Sequence, residues 1–282
     1  MPPPLPPELI DHIIDYLHDS PSTLRTCALV CQAWIAPSRF HLFYFLSIGP
    51  KRRSSVPLES VSLLQLLQES PNIALYIREF HFSVGSKSQN SDWPVLDRIL
   101  PRLLGKLTQL RKLVIRGIFP FTRLAPDTRA AFRALFALPS LAHVQVASPR
   151  VPKLEHFTSL LCPPLKHLTT SRSFDYELFH PEDVHAVDEE VRAVELQRRS
   201  PCRLESLSSS CPALVNWLLG AQTVVDISTI RTLVVFCELE DVEQSMARLI
   251  RRLGSSLEDL TIRSPNIEEW GALVLIYFVI VG

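Results

Sequence analysis

The sequence predicts a mixed α+β and α/β fold: an α/β solenoid of strand–helix units in series, behind a small helical unit at the N-terminus. Three observations predict it. A six-residue signature, Φ-x-x-Φ-x-Φ with Φ usually apolar, starts seven times between Ile77 and Leu257. Amphipathic helical patterns separate its copies. Residues 1–46 are compact and helical in period. Leucine supplies 44 of the 282 residues and 46% of the chain is hydrophobic, enough for a large core. The pattern divides the chain into four parts. Residues 1–46 are the helical unit. Residues 47–60 read as a linker, with Pro50, Lys51, Arg52, Arg53 and Pro57. Residues 61–265 are Leu-rich and repetitive, and 266–282 end in a bare apolar run.

The first unit opens on prolines and continues LPPELIDHIIDYL. Pro7 fits the first turn of a helix, where its missing N–H costs nothing. Leu9, Ile10, Ile13, Ile14 and Leu17 follow at helical spacing, with Asp11, His12 and Asp15 on the other face. A second helix starts with Ser20 as N-cap and Pro21 at its first position. It is expected to carry Leu24, Cys27, Ala28, Val30, Cys31, Trp34 and Ile35 in one run, limited by Pro37. Leu42, Phe43, Phe45 and Leu46 add apolar surface. A unit of about 40 residues rarely buries enough to stand alone, so its apolar side needs cover from the chain or from a partner.

Leu5-Pro6-x-Glu8-Leu9, Ile13, Leu17, Leu24, Cys27, Leu29-Val30-Cys31 and Trp34 together resemble an F-box. Arg39-x-x-Leu42-Phe43 is similar to the form common in fungal F-box proteins. The resemblance spans residues 5–46, and the loop HDSPST between its two blocks is longer than the minimal motif. It implies docking onto a Skp-family adaptor, and through it a cullin, in an SCF-type ubiquitin ligase. The adaptor-binding positions it implies are Leu5, Pro6, Leu9, Ile13, Leu24, Leu29, Val30, Cys31 and Trp34.

The signature reads IREFHF from Ile77, LRKLVI from Leu110, LAHVQV from Leu141 and LKHLTT from Leu165. LESLSS from Leu204, IRTLVV from Ile230 and LEDLTI from Leu257 complete it. Thr170 and Ser209 replace the last apolar residue in the fourth and fifth copies. Such alternation reads as a short strand with one buried face. The third and fifth residues then point away from the core. They form two rows: Glu79, Lys112, His143, His167, Ser206, Thr232, Asp259, and His81, Val114, Gln145, Thr169, Ser208, Val234, Thr261. In a parallel sheet the rows share one concave face, the usual binding side of a solenoid. Lys112, His143, Gln145, His167 and Thr169 are the expected contacts to a target protein.

Helical patterns fill the gaps: Val95 to Leu107, with Pro101 as a bend, Thr128 to Leu138, and Val242 to Leu253, with Gly254 as C-cap. Strand, turn and helix at this period read as a leucine-rich-repeat-like solenoid. The Asn or Cys that regular leucine-rich repeats place after the strand is absent. Gly85, Ile118, Pro149, Ser173, Pro212, Glu238 and Pro265 stand there instead. Residues 270–282, WGALVLIYFVIVG, would span about 20 Å as a helix, short of a hydrocarbon core of about 30 Å. They are expected to begin a further repeat, with Val279-Ile280-Val281 as a β-prone apolar edge.

Several chemistries are excluded or demoted. There is no GxGxxG, GxxxxGK[ST] or GxSxG. Equal numbers of basic and acidic residues, 29 each, argue against a general nucleic-acid binder. Residues 95–135 hold nine Lys and Arg against two acids, read as a solvated face or a contact with an acidic protein partner. His180 and His185 lie in a segment, 173–191, with seven acids and no Lys or Arg. Their spacing does not suit ligands one helical turn apart, so a solvated acidic segment is expected rather than a metal site. Cys27 and Cys31 read as core packing, and none of the six cysteines forms CxxC. The N-terminus lacks the basic and apolar regions of a secretory signal, and no apolar run reaches about 18 residues. The expectation is a non-enzyme of the cytoplasm and/or nucleus, without cofactor, metal, nucleic acid or membrane partner. It would recruit targets to a ubiquitin ligase, the alternative being a repeat scaffold with no ubiquitin link.

Overall fold

A computed structural model describes residues 5–49, 56–84, 93–117, 124–147, 164–171, 201–209, 212–220, 225–236, 240–263 and 276–279. Three helices come first: α1 (Pro7–Asp15), α2 (Pro21–Cys27) and α3 (Gln32–Tyr44). Pro7 and Pro21 occupy first-turn positions, where proline is pre-organised. Ser20 precedes α2, but its hydroxyl lies 2.8 Å from Thr23 Oγ1 instead of capping a backbone N–H. The second helix is shorter than its apolar spacing predicts. The Leu29 and Val30 N–H groups donate to the Thr26 and Cys27 carbonyls, a tightened turn that ends α2. The chain restarts from an extended Cys31, so Trp34 and Ile35 belong to α3. Pro37 lies inside that helix rather than ending it. It removes one helical hydrogen bond, and packing of both α1 and α2 on α3 offsets the loss. Ile10, Ile14, Leu24 and Cys27 form a small core of their own, edged by Leu17, Trp34 and Leu42.

From α3 the backbone runs directly into β1 (Phe45–Ile48). The order then runs α4 (Val56–Glu69), β2 (Glu79–Val84), α5 (Trp93–Leu104), β3 (Lys112–Gly117), α6 (Pro126–Phe136) and β4 (His143–Ala147). It continues with β5 (His167–Ser171), β6 (Cys202–Arg203), β7 (Ser206–Ser209), α7 (Pro212–Leu219), β8 (Val225–Asp226) and β9 (Thr232–Phe236). It closes with α8 (Glu240–Leu253), β10 (Asp259–Arg263) and β11 (Ile276–Val279). The stretch read as a linker, 47–60, therefore holds the end of one strand and the start of a helix. Residues 43–48, FYFLSI, carry the same signature, one copy ahead of the one that starts at Ile77.

The main sheet has the order β1-β2-β3-β4-β5-β7-β9-β10-β11, with β6 and β8 pairing separately. Its first eight strands are parallel, and each lies beside the one that precedes it in the order. Crossovers between parallel strands are right-handed, so steps in one direction put the helices on one face. Helices α4, α5 and α6 accordingly pack side by side, as do α7 and α8. β11 breaks the series by running antiparallel to β10, with Leu260 opposite Phe278. Residues 266–275 and 280–282, including most of the expected apolar edge, lie outside the described residues.

The core fills the space between the sheet and the helical layer. The first signature residue, Ile77, Leu110, Leu141, Leu165, Leu204, Ile230 or Leu257, is buried in the seven copies from Ile77 on, while Phe43 in the copy before them is half-buried. Phe80, Leu113, Val144, Leu168, Leu207, Leu233 and Leu260 form the next buried row. Thr170 and Ser209, the two polar exceptions, are register partners, and their hydroxyls lie 2.8 Å apart inside the core. A buried hydroxyl is tolerated when it is hydrogen-bonded, and here neighbouring copies supply that bond to each other.

Side chains just ahead of the strands join successive units. The Cys202 thiol donates to the Leu165 carbonyl at 3.4 Å. Thr229 Oγ1 donates to the Leu204 carbonyl at 2.8 Å, and Ser256 Oγ to that of Ile230 at 3.3 Å. Gly254 follows α8 with φ of 53°, the left-handed conformation its C-cap role requires.

Candidate interaction surfaces

The N-terminal helices leave more apolar surface than their own core uses. On α1, Ile10 and Ile14 face inward, while Leu9 and Ile13 beside them stay 50% and 39% exposed. Leu5, at the same four-residue spacing, is 51% exposed. A helix of a self-contained domain buries one apolar stripe, and a second exposed stripe marks a surface for something else. Leu29 and Val30, in the turn between α2 and α3, are 87% and 61% exposed. Their exposure follows from the shortened α2. A continuous helix would have turned this region differently, and apolar spacing alone did not reveal the break.

The nine positions implied by the F-box resemblance thus fall into two groups. Leu5, Pro6, Leu9, Ile13, Leu29, Val30 and Cys31 are exposed. Leu24 is buried, and Trp34 is half-buried against the same small core. Cys27 is buried and Cys31 exposed, and they sit on separate elements, so they do not share a packing face. A further link holds this unit together: His41 Nε2 on α3 lies 2.7 Å from Asp15 Oδ1 at the end of α1.

The second surface is the outward face of the sheet. The registers pair Glu79, Lys112, His143, His167, Ser206, Thr232 and Asp259 in one row. They pair His81, Val114, Gln145, Thr169, Ser208, Val234 and Thr261 in the next, the two rows read from the signature. Parallel strands in register hold like positions about 4.8 Å apart, so aligned side chains touch. His143 and His167 stack with centroids 4.1 Å apart and planes 6° from parallel. Lys112 Nζ reaches Glu79 Oε2 at 3.2 Å, and Phe45 on β1 meets His81 edge-on at 4.5 Å. Gln145 and Thr169 are half-buried beside the stack. Val114 is an outward position that is nevertheless fully buried among its neighbours.

The electrostatics of this face favour neutral histidines. Burial holds His81 below the ordinary histidine value, and Lys112 and Arg116 add to the effect while Glu79 opposes it. His143 is lowered by burial, then by His167 and Lys112, against Glu79. His167 is lowered by burial, with Glu205 opposing and Lys166 adding. His81 Nε2 is enclosed and has no hydrogen-bond partner among the described residues. At the strand entrances, Lys166 pairs with Glu205 at 2.8 Å and Arg231 with Glu258 at 3.3 Å. The Lys166 hydrogen bond holds the Glu205 carboxyl below its usual value.

Among the described residues no cluster of His, Cys, Asp or Glu suits a metal ion, and no helix is long and apolar enough to cross a membrane. The acidic stretch 173–191, with His180 and His185, lies outside the described residues, as do Cys162, Cys211 and Cys237. Compared with known proteins, the chain matches no family model, and no curated protein matches it significantly.

Proposed function

We propose that this chain is the substrate-recognition subunit of an SCF-type cullin–RING ubiquitin ligase. Residues 5–46 act as an F-box that binds a Skp-family adaptor, and through it a cullin. The strand–helix units form an irregular leucine-rich-repeat-like solenoid that holds a target protein on its outward sheet face. The chain does no bond chemistry. It raises the effective concentration of a target lysine beside the ubiquitin-charged partner. Such a subunit works in the cytoplasm and/or nucleus.

One observation carries the reading. The residues that the resemblance assigns to adaptor binding include a second apolar stripe on α1 and an exposed Leu29-Val30 turn that the chain's own core leaves uncovered. The stepwise parallel order of the main sheet's first eight strands supports the solenoid half of the reading. Co-expression with a Skp-family adaptor tests the proposal. A stoichiometric complex that survives size-exclusion chromatography is expected. Elution of the folded chain without the adaptor would leave a repeat scaffold with no ubiquitin link.

A further inference from the structure

We infer that the outward face of β2–β5 is a docking strip for an extended acidic segment of a partner protein, seated across the His143–His167 stack. This deepens the target half of the proposed function. The experiment below uses no adaptor, so the two readings fail separately.

The charges on this strip are lopsided. Lys112 and the exposed Arg116 stand on β3, and the exposed Arg111 immediately precedes it. Arg78, whose guanidinium donates to the Leu75 carbonyl at 2.6 Å, and Lys166 hold the equivalent entrance positions before β2 and β5. Two acids oppose these five cations: Glu79, paired with Lys112, and Glu205, paired with Lys166. Arg111 and Arg116 make no ion pair among the described residues. Further along the sheet the outward residues become Ser206, Ser208, Thr232 and Val234, and then the acids Glu258 and Asp259 appear. The complement for an anion is therefore confined to one half of the face. Four strands about 4.8 Å apart make a strip about 14 Å wide, which an extended peptide crosses in four or five residues at about 3.3 Å each.

The strip suits carboxylates on a peptide better than a nucleic acid. Single strands bind through aromatic platforms as well as charge. Here the two imidazoles already stack on each other, and Phe45 is turned edge-on to His81. The chain as a whole carries no net charge.

Bound carboxylates would also change the histidines. His143 faces Lys112, Glu79 and His167, while His167 faces His143, Lys166 and Glu205. His81 faces Glu79, Lys112 and Arg116. An added anion at the stack favours the protonated imidazole, so binding takes up a proton and tightens as pH falls.

The test is fluorescence anisotropy of a labelled deca-glutamate peptide with the full chain, beside a deca-glutamine peptide and a single-stranded oligothymidylate. The glutamate peptide is expected to bind, to weaken about tenfold in Arg116→Glu, and to bind at least about threefold more tightly at pH 6 than at pH 8. His143→Gln/His167→Gln should lose most of the pH dependence. Arg111→Glu, also at an exposed position, serves as a second reversal if Arg116→Glu fails to fold by circular dichroism. Equal binding of the glutamine peptide, tighter binding of the oligonucleotide, or undiminished binding by a folded charge-reversal variant would overturn the inference. So would pH-independent binding of the wild-type chain.

Discussion

Truncating the exposed apolar side chains of the N-terminal unit should separate partner binding from folding. Leu9, Ile13 and Leu29 are 50%, 39% and 87% exposed. Burying a whole Leu or Ile side chain is worth about 1.5–3 kcal/mol, so covering these exposed fractions contributes about 1 kcal/mol each for Leu9 and Ile13 and about 2 for Leu29. Leu9→Ala/Ile13→Ala/Leu29→Ala should then lose about 3–4 kcal/mol of association with the adaptor, a weakening of a few hundred-fold at roughly 1.4 kcal/mol per decade. The same substitutions should change folding stability by no more than about 0.5 kcal/mol each, as is usual for surface positions. Ile14→Ala makes the opposite control. Ile14 is fully buried, so its truncation should cost about 2–5 kcal/mol of stability in the helical unit. Calorimetric titration with purified adaptor and urea denaturation followed by circular dichroism give the two readouts. If the triple variant binds within about threefold of wild type, or unfolds as easily as Ile14→Ala, the division into exposed and structural positions is wrong.

Three further outcomes follow from the fold. In a double-mutant cycle, Thr170→Val and Ser209→Ala should show a coupling of about 0.5–1.5 kcal/mol by chemical denaturation, the net worth of their hydrogen bond. Additive effects would mean that the hydroxyls do not pair. Gly254→Ala should cost about 1–2 kcal/mol from its left-handed backbone alone, since an added Cβ meets nothing within 4 Å. A neutral substitution there would contradict the positive φ. The lowered pKa values of His81, His143 and His167 carry a sign: the unfolded chain binds more protons than the folded one below the ordinary histidine pKa of 6.5. Their contribution is intact above that value and lost as pH falls through it towards the lowered folded values. Thermal midpoints should accordingly fall on acidification, and fall less in His143→Gln/His167→Gln.

The strand pattern was legible because a half-buried strand repeats every two residues and each copy ends on the same buried side. That is why Glu79, Lys112, His143 and His167 could be placed in one row before the registers were known. The copy at 43–48 was hidden by context rather than by pattern. It runs straight off α3, so Phe43 and Leu46 resemble a continuation of the helix's apolar surface. The break at Leu29-Val30 was hidden for a related reason: apolar residues keep helical spacing across it, and only backbone hydrogen bonds end α2. Pro37 misled in the other direction, because packing of α1 and α2 overrides a local breaker. The pairing of Thr170 with Ser209 needed register across about 39 residues of chain, which no local pattern supplies. On the surface, residue type alone could not sort Leu9 from Ile10. Only the position of the small core showed which side was already covered.

Hydrogen–deuterium exchange on the complex of full chain and adaptor tests the central claim most directly, because it reads both surfaces at once. The account predicts new protection in residues 5–16 and in the α2–α3 turn around 28–33, with the amides of β2–β5 unchanged until an acidic peptide is added. Adaptor-induced protection on the sheet, with α1 and the Leu29-Val30 turn exchanging as in the free chain, would contradict it.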